Sequence, residues 1–103
     1  MQISKFNHNL HGKKILIMGL GLHGGGVGVV KFLAHRGGRL TVTDLRSRRA
    51  LGASLEALSG IKRIRLILGR HREKDVARAD LIIKNPGIMP DSPYLAIAHT
   101  RDI

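Results

Sequence analysis

Three glycines and one aspartate have the types and the spacing of a nucleotide-binding site. Gly19, Gly21 and Gly24 form a G-x-G-x-x-G pattern. Asp44 lies 20 residues after the last of these glycines. In such a pattern the first glycine permits a tight turn, the second lets a diphosphate approach the backbone, and the third brings helix and sheet together. The helix N-terminus then offers N–H groups to the phosphates, and the carboxylate can bind a ribose or a base.

Additional glycines follow the pattern at positions 25, 26 and 28. Each glycine in a helix interior costs about 1 kcal/mol relative to alanine. A glycine turn that serves packing alone explains these residues poorly. We therefore interpret them as positions where another group comes close to the backbone.

The elements on either side of the glycine pattern are those that a phosphate loop requires. The apolar run 13–19 is typical of a central strand covered on both faces. Residues 24–36 have the apolar spacing of a helix, and Gly37 and Gly38 lie where its C-cap belongs. Residues 40–44 are rich in β-branched side chains, which predicts a second strand that ends at Asp44.

The rest of the chain continues the alternation of strands and helices. A short helix is predicted at 54–58 and a strand at 64–68. The charged stretch 69–75 is predicted without a helix. A strand follows at 81–84 and a turn at 85–87. A last helix capped by Asp91 or Ser92 runs through Ala98. This order predicts an α/β fold, a Rossmann-like open parallel sheet with helices on both faces and strand order 3-2-1-4. Residues 1–12 are predicted to form an N-terminal strap, and residues 13–103 one domain.

Three loops are expected to meet at one edge of this sheet. Ligands of open α/β sheets bind beyond the carboxyl ends of the strands, where the strand order reverses. The loops 19–24, 44–46 and 85–87 all follow such strand ends. Together they can hold the phosphates of a nucleotide, its ribose or base, and one flat face. Taken alone, Asn85, Pro86 and Gly87 fit an ordinary type II turn.

The composition indicates anionic partners. The chain has 18 Lys and Arg against 7 Asp and Glu, a formal net charge of +11, which favours phosphates, nucleic acid or a charged membrane face. The absence of cysteine excludes disulfides, thiolate metal sites and cysteine nucleophiles. No apolar run reaches the ~18 residues that span a bilayer, and no secretory signal is recognisable. We expect a cytoplasmic protein without a membrane partner.

The histidines and the remaining basic residues indicate no specific site. His8 and His11 have a ligand-like spacing, but no third ligand is evident, so no metal site is predicted. The basic residues that resemble a nucleic-acid footprint are Arg46, Arg48, Arg49, Lys62, Arg63 and Arg65. Aromatic residues make up 3% of the chain, which disfavours single-strand recognition by stacking. We interpret the basic residues as a surface that faces acidic partner domains.

Five short blocks, in order along the chain, resemble a known family. They are GLGLHG at 19–24, TVTDLR at 41–46, GRHR at 69–72, KNPG at 84–87 and PDSPYL at 90–95. Over nearly the whole chain after Lys13, their order and spacing closely resemble the N-terminal domain of the D-glutamate-adding Mur ligases, the UDP-N-acetylmuramoyl-L-alanine:D-glutamate ligases. This resemblance implies a Rossmann-like domain that binds the UDP of UDP-N-acetylmuramoyl-L-alanine.

The resemblance also implies a reaction in which this domain is one of three. In the family a central domain binds ATP through a P-loop, with Mg²⁺, and a third domain helps to bind D-glutamate. The alanyl carboxylate is phosphorylated, and the amine of D-glutamate attacks the acyl phosphate. The product serves peptidoglycan synthesis, and through it cell shape and division. This chain contains no G-x-x-x-x-G-K-[ST] pattern, so we expect a first domain without its central and C-terminal domains, with no cofactor of its own and inactive alone.

The site residues implied by the resemblance lie in the three loops. The diphosphate would contact the backbone of Leu22 and His23, between Gly21 and Gly24. Uracil would contact the segment formed by Asp44, Leu45 and Arg46, with Gly87 against its face and Asn85 beside it. His23 stands where Ser or Thr is expected, so the role of its side chain stays open. No catalytic residue and no metal ligand is assigned.

Two other functions remain open at this point. The first is an NAD(P)-binding domain of a dehydrogenase or regulator, because Asp44 suits an NAD ribose and Arg46 a 2′-phosphate. The second is a nucleic-acid-binding module based on the charge of +11, whose affinity would fall steeply with salt. The sequence favours the UDP-binding domain over both alternatives. Of the two, the nucleic-acid-binding module is the less favoured.

Overall fold

A computed structural model describes residues 10–21 and 25–84 of the 103-residue chain. Its four strands are β1 (Lys14–Met18), β2 (Arg39–Asp44), β3 (Ile64–Leu68) and β4 (Leu81–Lys84). Its three helices are α1 (Gly25–His35), α2 (Gly52–Ala57) and α3 (Glu73–Arg78). Most of the predicted strap, the turn 85–87 and the predicted last helix lie outside the described residues.

The four strands form one sheet in the order β3-β2-β1-β4, and all neighbouring pairs are parallel. This confirms the predicted strand order and the predicted Rossmann-like fold. Met18, at the end of β1, is paired with Thr43 on β2 and with Lys84 on β4. The carboxyl ends of β1, β2 and β4 therefore lie together at one edge of the sheet. The strand order reverses between β1 and β4.

The strand β1 separates two layers of core residues. Its side chains alternate: Ile15 and Ile17 pack in the larger core cluster with residues of α1, whereas Leu16 and Met18 pack with Val76 of α3. All four strand residues are buried. Complete burial of one such side chain contributes about 1.5–3 kcal/mol, so the continuous apolar run is explained by cover on both faces.

The helix α1 begins directly after the glycine pattern and ends as predicted. The N–H groups of Gly37 and Gly38 donate to the carbonyls of Ala34 (3.0 Å) and Leu33 (3.1 Å), which is the pattern of a Schellman cap. Gly37 has a φ of 86°, which explains the glycine at this position.

One of the extra glycines of α1 is explained by the chain itself. A Cβ added at Gly26 would overlap the backbone of Leu20 at its carbonyl group. The group that comes close at this position is therefore the preceding loop of the same protein. Around Gly28, by contrast, the space is open to at least 4 Å.

The charged stretch after β3 contains a helix that the sequence analysis did not predict. The helix α3 packs on the second face of the sheet through Val76, which contacts Leu16 and Met18 in the smaller core cluster. One buried apolar residue in six gives too weak a period to indicate a helix. The guanidinium of Arg72 binds the Asp75 carboxylate at 2.8 and 2.9 Å, across the first turn. Helices thus cover both faces, as predicted.

A groove of about 990 Å³ lies toward the amino ends of the strands. The residues that line it include five Lys and Arg side chains: Lys14, Arg39, Arg63, Arg65 and Arg78. We call this feature the basic groove. It lies at the end of the strands opposite to the predicted site.

Candidate nucleotide-binding site

The loop after β1 is shaped by two glycines. Gly19 has a φ of 96° and Gly21 a φ of 80°, values that residues with a Cβ rarely adopt. The N–H of Gly19 donates to the Thr43 carbonyl at 2.7 Å, which ties the start of the loop to β2. The described start of the glycine pattern, from Gly19 to Gly21, therefore lies at the carboxyl edge of the sheet.

Asp44, the last residue of β2, connects this loop to the loop that follows β2. Its Oδ2 atom accepts hydrogen bonds from the N–H groups of Leu20 (2.9 Å) and Gly21 (3.3 Å). Its Oδ1 atom accepts from the N–H of Arg46 at 2.8 Å and from the Nη1 of the same residue at 3.3 Å. The residue is 1% exposed. A buried carboxylate thus accepts four hydrogen bonds from described residues of two loops.

The pKa of Asp44 is lowered below its ordinary value of 3.8. Burial by itself raises this pKa, but the hydrogen bonds from the backbone of Arg46, Gly21 and Leu20 and the charge of the Arg46 guanidinium outweigh that effect. The carboxylate is therefore ionised at neutral pH. It provides a fixed negative charge around which the backbone N–H groups are oriented.

The two residues after Asp44 point outward. Leu45 is 65% exposed, and the side chain of Arg46 is 49% exposed. An apolar side chain and a planar guanidinium at this edge offer the surfaces on which a flat heterocyclic ring packs. Contact of Leu45 and Arg46 with a base stays a prediction.

Ser54 of α2 is a residue of the site that the sequence analysis missed. Its hydroxyl donates to the carbonyl oxygen of Gly21 at 3.0 Å, and the residue is 6% exposed. A signal was present in the sequence, because Ser54 lies between Leu51 and Leu58 on the apolar stripe of a short helix. Its partner is 33 residues away and is defined only by the folded sheet.

A buried pair below the site was also missed. The Oγ1 atom of Thr43 and the Nδ1 atom of His71 are 2.7 Å apart, and both residues are buried. Burial lowers the pKa of His71 below 6.5, and the charge of Asp44 partly opposes this effect. The segment of His71 is held to β2 because the N–H of Gly69 donates to the Asp44 carbonyl at 2.8 Å.

The structure brings together three of the nine predicted contact residues: Gly21, Asp44 and Arg46. Leu45 lies beside them. The other five lie outside the described residues: Leu22, His23, Gly24, Asn85 and Gly87. In the described part of the chain, no group of three His, Asp or Glu side chains is arranged to hold a metal ion. None of the helices in this part is long and apolar enough to cross a membrane.

Comparison with known proteins gives consistent matches. Residues 13–103 match the family described as Mur ligase MurD-like, N-terminal domain. The chain is 54% identical over 89 residues to a UDP-N-acetylmuramoylalanine–D-glutamate ligase of a Roseiflexus species. The matched region covers 86% of this chain and 19% of the relative.

Two ligases of other bacteria have the same name. The ligase of Borreliella burgdorferi is 48% identical over 84 residues, 81% of this chain and 19% of the relative. The ligase of Treponema pallidum is 52% identical over 77 residues, 75% of this chain and 14% of the relative. The chain thus spans a fifth or less of the length of these relatives. By sequence and by fold, it belongs to the family of MurD-like N-terminal domains of the Mur ligases.

Proposed function

We propose that this chain binds the UDP moiety of UDP-N-acetylmuramoyl-L-alanine, as the substrate-binding domain of a ligase that adds D-glutamate in peptidoglycan synthesis. The observation that carries the proposal is the link between Gly21 and Asp44, which joins the glycine loop to the end of β2. The glycine loop follows β1, and the strand order reverses between β1 and β4, which is the usual ligand position in open α/β sheets. Membership of the family directs the choice of ligand to UDP.

The start of α1 supports the binding of the diphosphate. This helix has eleven residues, and its first turn reads GGVG, without an acidic side chain. The first N–H groups of a helix have no partner within it and carry partial positive charge, which favours phosphate. Leu22, His23 and Gly24 connect Gly21 to this turn, and we propose their backbone as the phosphate contacts.

The outward residues of the β2 loop support the binding of uracil. Leu45 offers an apolar surface, and the guanidinium of Arg46 is planar and accessible. The strand β4 ends at Lys84 beside the end of β1, so the segment with Asn85 and Gly87 begins at the same edge. We propose that these residues complete the base-binding side.

Asp44 contributes first of all by holding the two loops in place through its hydrogen bonds. Both of its oxygens already accept hydrogen bonds, so a donor from uracil or ribose has to replace one of them. The Arg46 guanidinium is the donor most easily displaced, because its distance is 3.3 Å and its side chain is half exposed. Asp44 then retains its three backbone partners while it contacts the ligand.

The chemical steps belong, in this proposal, to other domains of the parent protein. The chain spans about a fifth of the Roseiflexus ligase. We propose that the parent uses ATP and Mg²⁺ in the cytoplasm, outside this chain, and that its other domains are the partners of this one. The domain contributes affinity and orientation for the UDP end of the substrate, and alone it has no ligase activity.

Titration of the isotope-labelled chain with UDP, followed by NMR, tests the proposal. We expect saturable binding that shifts the amide signals of Leu22, His23, Asp44 and Gly87. NAD and NADP in parallel titrations should bind more weakly than UDP. Tighter binding of NAD, or UDP-induced shifts confined to residues outside the three loops, would contradict it. Binding to duplex DNA that falls steeply with salt would favour the nucleic-acid function instead.

A further inference from the structure

Ser54 occupies a position in α2 where an apolar residue is expected. Leu51 and Leu58, three residues before it and four after it, are buried members of the larger core cluster. Side chains at these separations share one face of a helix. A hydroxyl buried on such a face is unfavourable unless it has a hydrogen-bond partner. The presence of serine there is explained by the partner it reaches.

That partner is the carbonyl of Gly21, in the middle of the glycine pattern. The N–H of the same glycine donates to Asp44. Gly21 is therefore held on its two sides by different elements, at the N–H by the end of β2 and at the carbonyl by α2. Its φ of 80° lies in the left-handed region, which favours glycine at this position.

Planarity of the peptide unit gives this contact its consequence. A carbonyl and the N–H that follows it lie in one plane and point in opposite directions across a trans peptide bond. We propose that Ser54 is a positioning residue for the diphosphate: by binding the Gly21 carbonyl, it holds the peptide unit through which the glycine loop leads to the proposed phosphate contacts. This inference rests on the proposed function, which assigns Leu22 to the phosphates.

Packing alone does not account for a serine at this position. Alanine occupies nearly the same volume and has a higher helix propensity. Ser54→Ala should therefore leave the fold intact while it removes the hydroxyl from the Gly21 carbonyl. Ser59→Ala, an exposed position just after α2, is the matched control.

The test compares UDP with uridine, which lacks the diphosphate, by calorimetric titration of the chain and both variants. We expect Ser54→Ala to weaken UDP binding about threefold to tenfold, the usual effect of one lost hydrogen bond. Uridine affinity should stay unchanged, and Ser59→Ala should change neither. The ¹³C signal of the Gly21 carbonyl should shift in Ser54→Ala only.

Each other outcome overturns a defined part of the argument. If UDP binds the unaltered chain and Ser54→Ala equally well, or if UDP and uridine weaken equally, Ser54 is not a positioning residue for the diphosphate. An unmoved carbonyl signal would overturn the hydrogen bond itself. If the unaltered chain binds no UDP at all, the proposed function fails, and the assignment of Ser54 fails with it.

Discussion

Asp44 connects the two loops of the site through backbone N–H groups that point at one buried carboxylate. Its Oδ2 atom is shared by Leu20 and Gly21, and its Oδ1 atom is used by Arg46. A carboxylate can accept at both oxygens, whereas an amide of the same shape presents one acceptor and one donor group. Replacement by asparagine therefore puts an N–H₂ group against backbone N–H groups.

The resulting prediction concerns the free energy of unfolding. We expect Asp44→Asn to lower it by about 2–3 kcal/mol, because hydrogen bonds to a buried charged group are lost and donors are left unsatisfied. Asp80→Asn is the control, since Asp80 also accepts a backbone N–H, that of Lys14 at 2.9 Å, but at an exposed position. Urea denaturation measures both losses. Equal losses would show that Asp44 does not order the two loops.

At the scale of elements, the hydrophobic period and the glycines determined what the sequence could predict. The observed bounds of β1, α1 and β2 lie within one residue of the predicted ones, because long apolar runs end at glycine or aspartate. The juxtaposition of Gly21, Asp44 and Arg46 followed from the shared edge of parallel strands. The helix α3 was not predictable from the hydrophobic period, because it has too few apolar residues. The hydrogen bond from Ser54 was not predictable either, because it joins segments that are distant in the sequence.

The glycines of α1 give a prediction at this scale that compares two identical substitutions. Gly28→Ala should raise the free energy of unfolding by about 0.5–1 kcal/mol, because alanine is the better helix former and the surroundings are open. Gly26→Ala should instead lower it, because the added methyl group overlaps the Leu20 carbonyl. Thermal and urea denaturation of both variants check the opposite signs. A gain at both positions would mean that α1 does not pack closely on the loop.

At the scale of the whole molecule, two buried titratable groups make stability depend on pH in the same direction. The pKa values of Asp44 and His71 are both lowered in the folded chain, so the unfolded chain takes up protons first. The contribution of His71 is complete above pH 6.5 and is lost as the pH falls through its lowered pKa. The contribution of Asp44 is complete above 3.8 and is lost as the pH falls through its own lowered pKa.

We therefore expect the free energy of unfolding to fall in two steps as the solution is acidified. His71→Gln should remove the step that begins near pH 6.5, and Asp44→Asn the step that begins below 3.8. Urea denaturation at a series of pH values measures both. If both steps remain in the variants, the acid sensitivity has another cause. Repulsion among the basic residues of a chain with net charge +11 is one such cause.

The basic groove and the glycine loop lie at opposite ends of strands about 16 Å long. Whatever rests in the groove leaves the other end of the sheet accessible. A charged molecule bound in the groove would therefore not compete for the surface at the carboxyl edge of the sheet, where Gly21 and Asp44 lie.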